Sequence, residues 1–205
     1  MTTLYLIRHS GPFVPINNYD NKTFEEQSKN MILSVEAEQK ASLLSKIPEL
    51  KNVDEVYSSN SARAIATAKY IAYENNKEIN IANEINERLF GVEYISELPK
   101  GFIDKQFSDE NYKLKLGESL LDVNKRSLPF FNKIISKDNK NIVIVLHGII
   151  LMNILKNFCD VQFFNDKFKV IHNGKLIFEE ILNRPPEIFE LSFEKQKLKS
   201  IKNII

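Results

Sequence analysis

Three short apolar runs stand out from the mixed pattern of hydrophobic and polar positions along the chain. They cover residues 4–7, 53–57 and 142–146 and are rich in Leu, Ile, Val and Tyr. None shows the clean alternation of apolar and polar residues that is typical of a strand with one solvated face. The pattern therefore predicts strands that are covered on both faces, as in a parallel sheet.

Helical patterns lie between and after these runs. They cover residues 35–47, which end before Pro48, residues 61–74, and residues 118 to about 136. A strand followed by a helix, repeated along the chain, is typical of α/β folds with right-handed crossovers. The sequence therefore predicts an α/β fold with a mostly parallel central sheet.

Two segments do not fit this alternation. Residues 13–31 and 93–117 are rich in polar residues and contain Pro, and we predict irregular insertions there, of the kind that often form the wall of a substrate site. Further on, residues 175–181 and 188–193 predict a hairpin or a pair of edge strands. We expect one domain over residues 1–205.

The composition predicts a soluble globular protein and makes several classes of function unfavourable. The 205 residues are 43% hydrophobic and 27% charged, with a formal net charge of +1. Because the charges are interspersed, they give no electrostatic footprint for nucleic acid or an anionic membrane. The most hydrophobic stretch, residues 142–155, is shorter than the roughly 20 apolar residues of a membrane span. Cys159 is the only cysteine, which excludes an internal disulfide and fits the reducing cytoplasm, where we expect the protein.

Basic and imidazole side chains follow the ends of the apolar runs. Arg8 and His9 come directly after the first run, His147 comes after the central one, and Arg63 lies in the first turn of a predicted helix. Ligands of open α/β sheets bind beyond the carboxyl ends of the strands, so we expect these four side chains to converge. No carboxylate is evident to balance them. A phosphate fits, because each arginine can hold two of its oxygens and a neutral imidazole can attack phosphorus near pH 7.

The residues around these positions resemble the signature motifs of the histidine phosphatase superfamily, the phosphoglycerate mutase-like proteins. Leu6-Ile7-Arg8-His9 is similar to the start of its Arg-His-Gly motif. Further matches follow in the family's order at residues 33–41, 58–68, 87–91, 117–122 and 145–148. The resemblance covers roughly residues 4–181, and an ordered set of motifs is more specific than a single Arg-His pair. It implies a three-layer α/β/α sandwich.

The resemblance also implies a role for each candidate residue. His9 accepts the phosphoryl group, while Arg8, Arg63 and His147 bind that group and its transition-state charge. Glu87 protonates the leaving oxygen and then activates the water that attacks the phosphohistidine. We therefore expect a metal-independent phosphomonoester hydrolase with a small phosphorylated metabolite as substrate.

The resemblance implies no metal and no other cofactor, because the arginines supply the positive charge that a metal would provide. Ser59 is a further candidate for binding the phosphoryl group, with capping of the next helix as the alternative. Neither nucleic acid nor a membrane is an expected partner. His172 is expected to be a hairpin or turn residue, and Arg88, Arg126 and Arg184 are expected to be surface or helix charges.

Several positions depart from the family's usual residues without removing a reacting group. These are Ser10, Ala37, Lys40 and Leu146. The residues that follow His9 do not continue the mutase motif, and residues 93–117 lack the paired arginines expected to hold a phosphoglycerate. Hydrolysis is therefore favoured over phosphoglycerate mutase-type transfer, which stays open as the alternative.

Two other classes of function also stay open. A metallohydrolase with His9 and His147 as ligands lacks the usual spacing of metal-binding motifs. A non-catalytic module that binds phosphorylated ligands has no need of the proton donor Glu87. Residues 198–205 mix Lys with Leu and Ile, which leaves an edge strand or a homodimer contact open.

Overall fold

The computed structural model describes residues 1–13, 23–181 and 185–205, which form a large and a small sheet with surrounding helices. The strands are β1 (Thr2–Arg8), β2 (Glu55–Ser58), β3 (Ile79–Ile81), β4 (Asn141–Leu146), β5 (Asp160–Phe164), β6 (Lys167–His172), β7 (Lys175–Glu180), β8 (Ile188–Glu194) and β9 (Lys197–Asn203). The α-helices are α1 (Phe24–Asn30), α2 (Val35–Leu44), α3 (Ala62–Glu74), α4 (Phe102–Ser108), α5 (Leu120–Ile135) and α6 (Gly148–Leu155).

The large sheet has the strand order β3-β2-β4-β1-β8-β9. Its first four strands run parallel, whereas β8 and β9 are antiparallel to their neighbours. The register of β1 with β4 pairs Arg8 with Leu146. The residues that follow both strands therefore meet at the same edge of the sheet.

Apolar packing covers both faces of this sheet. Along β1, Tyr5 and Ile7 join a cluster with residues of α3, whereas Leu4 and Leu6 join a second cluster with α5 and α6. Successive side chains of a strand point to opposite faces, so helices lie on both sides of the sheet. The predicted three-layer α/β/α sandwich with a mostly parallel sheet is confirmed.

Polar side chains determine where two of the predicted helices begin. The Ser34 side chain accepts a hydrogen bond from the Ala37 N–H at the start of α2. Ser119 and Asp122 form a reciprocal capping box at the start of α5. Such caps satisfy backbone donors that have no partner within the helix. Among the described residues, none of the helices combines the length and the hydrophobicity needed to cross a membrane.

Each segment predicted to be an irregular insertion contains a short helix. Helix α1 lies within residues 13–31 and begins at a capping box of Thr23 and Glu26, and helix α4 lies within residues 93–117. The prediction of purely irregular structure is therefore wrong for these parts. Both helices are too short to show a sustained apolar period in the sequence. Residues 14–22 of the first segment lie outside the described residues.

Residues 175–181 and 188–193 form strands as predicted, but they do not form a hairpin with each other, and of the two only β7 is an edge strand. Strand β7 pairs with β6 in the small sheet, whereas β8 lies between β1 and β9 in the large one. A local pattern indicates that a segment is extended, but its partner depends on packing elsewhere in the chain. The sequence left open whether residues 198–205 form an edge strand. They contain most of β9, which lies at the edge of the large sheet. Arg184, predicted to be a surface or helix charge, lies outside the described residues.

Candidate active site

Three neighbouring strand ends place His9, Ser59 and His147 at one edge of the large sheet. The His9 N–H donates to the Leu146 carbonyl over 2.9 Å, and the Ser59 N–H donates to the Val145 carbonyl over 3.1 Å. The rings of the two histidines meet edge to face, with their centroids 5.0 Å apart. The parallel strands thus bring together the histidines that the sequence separates by most of the chain.

Arg63, in the first turn of α3, places its guanidinium between these two imidazoles. Its Nε donates to His9 Nε2 over 2.9 Å, and its Nη2 lies 3.1 Å from His147 Nδ1. The same guanidinium donates to the backbone carbonyl of Ser28 in α1. A guanidinium has donors only, so each imidazole nitrogen that faces it presents a lone pair.

The remaining ring nitrogens complete the assignment of the tautomers. His9 Nδ1 donates to the Ser10 carbonyl over 2.7 Å, which leaves the lone pair on Nε2. His147 donates from Nε2 to the Ser59 Oγ over 2.9 Å. Ser59 therefore orients His147, and the Ser59 side chain does not cap α3, whose N-cap residue is Ser61.

Burial favours the neutral form of both imidazoles. Removal from water holds the pKa of His9 well below its ordinary value, and the nearby His147 and Arg63 lower it further. Desolvation, followed by the charge of Arg63, also lowers the pKa of His147. Burial disfavours a charged ring, and a neighbouring cation disfavours it again. His9 thus presents an unprotonated nitrogen without having to lose a proton first.

Glu87 faces these residues from the chain that follows β3. Its Oε2 lies 3.7 Å from His147 Nδ1. Its Oε1 accepts hydrogen bonds from the Arg88 backbone N–H over 3.1 Å and from Arg88 Nη1 over 3.3 Å. One carboxylate oxygen is therefore held by the protein, while the other points towards the imidazole.

Arg126 in α5 supports the chain on the N-terminal side of Glu87. Its guanidinium donates to the carbonyls of Glu84 and Asn86 over 2.6 and 2.9 Å. It also forms a bidentate pair with Glu118, at 2.8 and 3.0 Å. Arg126 lies in a helix, as predicted for a surface or helix charge, but its side chain is only 24% exposed and connects α5 to the segment that holds Glu87.

The prediction that Arg88 is a surface or helix charge is wrong, because Arg88 is buried and lies outside the helices. It is 2% exposed, its Nε donates to Gln106 of α4 over 2.9 Å, and its guanidinium lies 4.3 Å from the centroid of the Phe90 ring. A planar guanidinium can stack on an aromatic ring and donate in its plane at the same time, which lysine cannot do. Arg88 therefore joins α4 to the segment of Glu87.

Arg8 has a buried carboxylate partner, so the expectation that no carboxylate balances the cluster is wrong. Arg8 Nη1 lies 3.1 and 3.3 Å from the two carboxylate oxygens of Glu187, which is 5% exposed. Desolvation raises the pKa of Glu187, and the adjacent Arg8 opposes that rise. Glu187 directly precedes β8, whose start lies beside the end of β1 because these strands are antiparallel. Only the pairing of β8 with β1 could have indicated that Glu187 lies beside Arg8.

The sequence matches the family model described as histidine phosphatase superfamily (branch 1) over residues 4–187. The chain belongs to the histidine phosphatase superfamily. A search of curated proteins gives no significant match. The membership of the superfamily is thus shown by the family model, which spans every motif quoted above.

Solved structures with the same fold support the architecture of this histidine phosphatase superfamily member. A mycobacterial glucosyl-3-phosphoglycerate phosphatase, solved as a complex with inorganic phosphate, has a TM-score of 0.68 at 14% identity, covering 99% of this chain and 95% of its own. YhfR of Bacillus stearothermophilus has a TM-score of 0.61 at 20% identity, covering 85% of this chain and 98% of its own. At these identities, the likeness shows the fold.

The unusual Ser10 fits the site of this superfamily member without strain. Its hydroxyl donates to the Ala37 carbonyl over 2.8 Å, and its N–H donates to Thr67 Oγ1 over 2.9 Å.

His172 lies away from the site at the end of β6, where its Nδ1 is 3.2 Å from the Phe158 carbonyl. Within residues 1–13, 23–181 and 185–205, no group of three His, Cys, Asp or Glu side chains is placed to hold a metal ion.

Proposed function

We propose that this protein is a phosphomonoester hydrolase that forms a phosphohistidine at His9, with a small phosphorylated metabolite as its substrate. The orientation of the His9 ring is the main support for this proposal. Its Nδ1–H is bound to the Ser10 carbonyl, so the nucleophilic lone pair lies on Nε2, next to the guanidinium of Arg63. An arginine at that position attracts the phosphoryl group to the nitrogen that attacks it.

The proposed reaction has two steps, and the second returns the enzyme to its starting state. In the first, His9 Nε2 attacks phosphorus, and the ester P–O bond breaks as Glu87 gives a proton to the leaving alcohol. In the second, water attacks phosphorus, the P–N bond breaks, and Glu87 takes the proton from water. Throughout, Arg8 and Arg63 bind the phosphoryl oxygens and stabilise the charge that develops on them. His147 joins them when a proton is on its Nδ1, the nitrogen that faces Arg63 in the free protein.

A trapping experiment tests the covalent step. Brief mixing with a phosphomonoester labelled in its phosphoryl group, followed by a quench, is expected to leave label on the protein that acid releases. The His9→Ala variant is expected to carry none, and His172→Ala, which changes a histidine outside the site, is expected to label normally. Acid-stable label, or label on the His9→Ala variant, contradicts the proposal.

The role of Glu87 is tested by the dependence on the leaving group. Glu87→Gln is expected to slow the hydrolysis of alkyl phosphates by about 100-fold or more, within the usual range for a lost acid catalyst. Aryl phosphates need less protonation, so a smaller loss is expected for them. Equal losses for both kinds of ester contradict the assignment of Glu87 as the acid.

Metal independence is also part of the proposal. Arg63 lies between His9 and His147, where its positive charge disfavours a bound cation and supplies the charge that a metal would contribute. Unchanged turnover in excess chelator is the expected result. Loss of turnover that a divalent cation restores supports the metallohydrolase alternative.

The alternatives to hydrolysis are tested by separate measurements. Phosphoglycerate mutase-type transfer is measured separately as the isomerisation of 3-phosphoglycerate, and a non-catalytic phospholigand-binding module is recognised by phosphate binding without turnover. The cytoplasmic location, the single domain, the homodimer contact and the lack of nucleic-acid or membrane partners stay predictions.

A further inference from the structure

Three of the catalytic candidates, Arg8, His9 and Glu87, line a cavity of about 530 Å³. Its other described lining residues come mainly from α4, α6 and the small sheet, and include Phe163, Asp166 and Phe168. Clefts of this size commonly bind small molecules. Beyond the residues assigned to phosphoryl transfer, every described lining residue except Asp166 is apolar or glycine.

The apolar wall is well packed, because it belongs to the small sheet and to α4. Phe163 of β5 lies opposite Phe168 of β6, with ring centroids 4.6 Å apart. Phe107 of α4 packs against both, at 5.7 and 5.0 Å. Phe168 is 2% exposed and belongs to the core, whereas Phe163 is only partly buried. Phe163 is therefore the aromatic side chain with free surface towards the cavity.

The charges of the lining disfavour a second anion on the substrate. Among the described lining residues, Arg8 is the only arginine or lysine, and it already pairs with Glu187. Glu87 and Asp166 are both acidic, and Asp166 is exposed at the turn between β5 and β6. A carboxylate or second phosphate on the alcohol part would meet these acidic groups, with no free arginine or lysine among the described lining residues to balance it.

We propose that the alcohol part of the substrate is apolar and carries no second anionic group, with Phe163 selecting the first property and Asp166 the second. This inference rests on the proposed phosphomonoester hydrolysis and specifies its substrate class. Phe163 stabilises the bound ester by removing apolar surface from water. Asp166 repels a second negative charge on the alcohol part.

The preference is measured with three primary alkyl esters of similar leaving-group reactivity, namely ethyl phosphate, n-hexyl phosphate and 3-phosphoglycerate. Burial of each further CH₂ favours binding, so kcat/KM is expected to be at least about tenfold higher for the hexyl than for the ethyl ester. The value for 3-phosphoglycerate is expected to be the lowest of the three. Equal values for ethyl and hexyl phosphate, or a preference for 3-phosphoglycerate, overturn the proposal.

Variants of the β5–β6 hairpin test the two named residues. Phe163→Ala is expected to lower kcat/KM for hexyl phosphate by about tenfold, with ethyl phosphate nearly unaffected, because only the longer chain reaches the aromatic wall. Phe164→Ala is the matched control, since Phe164 is 74% exposed on the same strand and does not line the cavity. Equal losses for both esters, or the same loss in the control, overturn the role of Phe163.

Asp166→Asn keeps the size of the side chain and suits the left-handed backbone at this turn, where φ is 60°. It is expected to raise kcat/KM for 3-phosphoglycerate by about threefold at low salt, and less at high salt, because the repulsion is screened. Asp160→Asn, on the same hairpin but outside the lining, is the control. An unchanged or lower value for Asp166→Asn overturns the role of Asp166.

The trapping experiment separates this inference from the proposed function. If no ester is hydrolysed and His9 takes up no label, the hydrolase proposal fails, and the substrate class fails with it. If His9 is labelled but the order of the three esters is reversed, only the inference about the alcohol part fails.

Discussion

Replacement of Arg126 by alanine is expected to destabilise the fold and to misplace Glu87. The substitution removes four hydrogen bonds, two to Glu118 and one each to the carbonyls of Glu84 and Asn86. Bonds to a charged group contribute about 1.5 kcal/mol each at the lower end, which gives about 6 kcal/mol in total. The side chain is 24% exposed, so water can replace part of this. We expect a net loss of about 3 kcal/mol in the free energy of unfolding.

Urea unfolding and thermal unfolding measure this loss. For a protein of this length, about 3 kcal/mol corresponds to a decrease of about 9 °C in Tm. Arg126→Lys is expected to recover only part of the stability, because lysine cannot bridge Glu118 and two carbonyls. Lys133→Ala provides the control, since Lys133 is an exposed residue of the same helix.

The kinetic readout distinguishes positioning from simple support of the fold. Under conditions where Arg126→Ala is fully folded, kcat for an alkyl phosphate is expected to decrease by about tenfold, with little change for an aryl phosphate. The reason is that the Asn86 carbonyl, one residue before the proposed acid Glu87, loses its donor. Equal decreases for both esters would refute the positioning role, and unchanged stability would refute the reasoning from the hydrogen bonds.

Three further predictions concern the buried polar groups of the site. The pKa values of His9 and His147 are lowered in the folded protein, so the unfolded chain binds protons first as the pH falls below about 6.5. The free energy of unfolding is therefore expected to be highest above that pH. Below it, we expect a decrease of about 1 kcal/mol per pH unit for each histidine. Urea unfolding between pH 7.5 and about 5.5 measures this, and a pH profile as steep in His9→Asn as in the parent contradicts it. Ser10→Gly is expected to lose about 1–2 kcal/mol of stability, because it removes the hydrogen bond to the Ala37 carbonyl and increases the entropy of the unfolded chain. An unchanged free energy of unfolding in the same assay contradicts this prediction. Arg88→Lys is expected to lower the free energy of unfolding by about 3 kcal/mol, because a buried ammonium cannot replace the stacked guanidinium. A loss below about 0.5 kcal/mol would show that the stacking contributes little to stability.

The site shows how one buried arginine can determine the state of two histidines. Arg63 faces a lone pair of each ring, while the Ser10 carbonyl and the Ser59 hydroxyl accept the protons on the other nitrogens. The protein thereby selects one tautomer for each imidazole before any ligand binds. This arrangement supports the proposal that His9 Nε2 is the nucleophile.

The sequence alone was sufficient to predict the central strands, the longer helices and the meeting of the site histidines. These features depend on local patterns, because an apolar run or a helical period reflects burial along a few turns of chain. The ends of β1 and β4 could be placed together because parallel strands with helical crossovers have their carboxyl ends at one edge. The motifs that follow those strands lie in short contiguous segments, so they could be recognised without a structure.

Tertiary structure alone decided the partners of these groups. Glu187 reaches Arg8 only because β8 pairs with β1, and Arg126 reaches the segment of Glu87 only because α5 packs beside it. The same holds for the small sheet, which brings Phe163 to the cavity. Such contacts join residues far apart in the chain, and their geometry depends on how whole layers pack, which no local period of the sequence encodes.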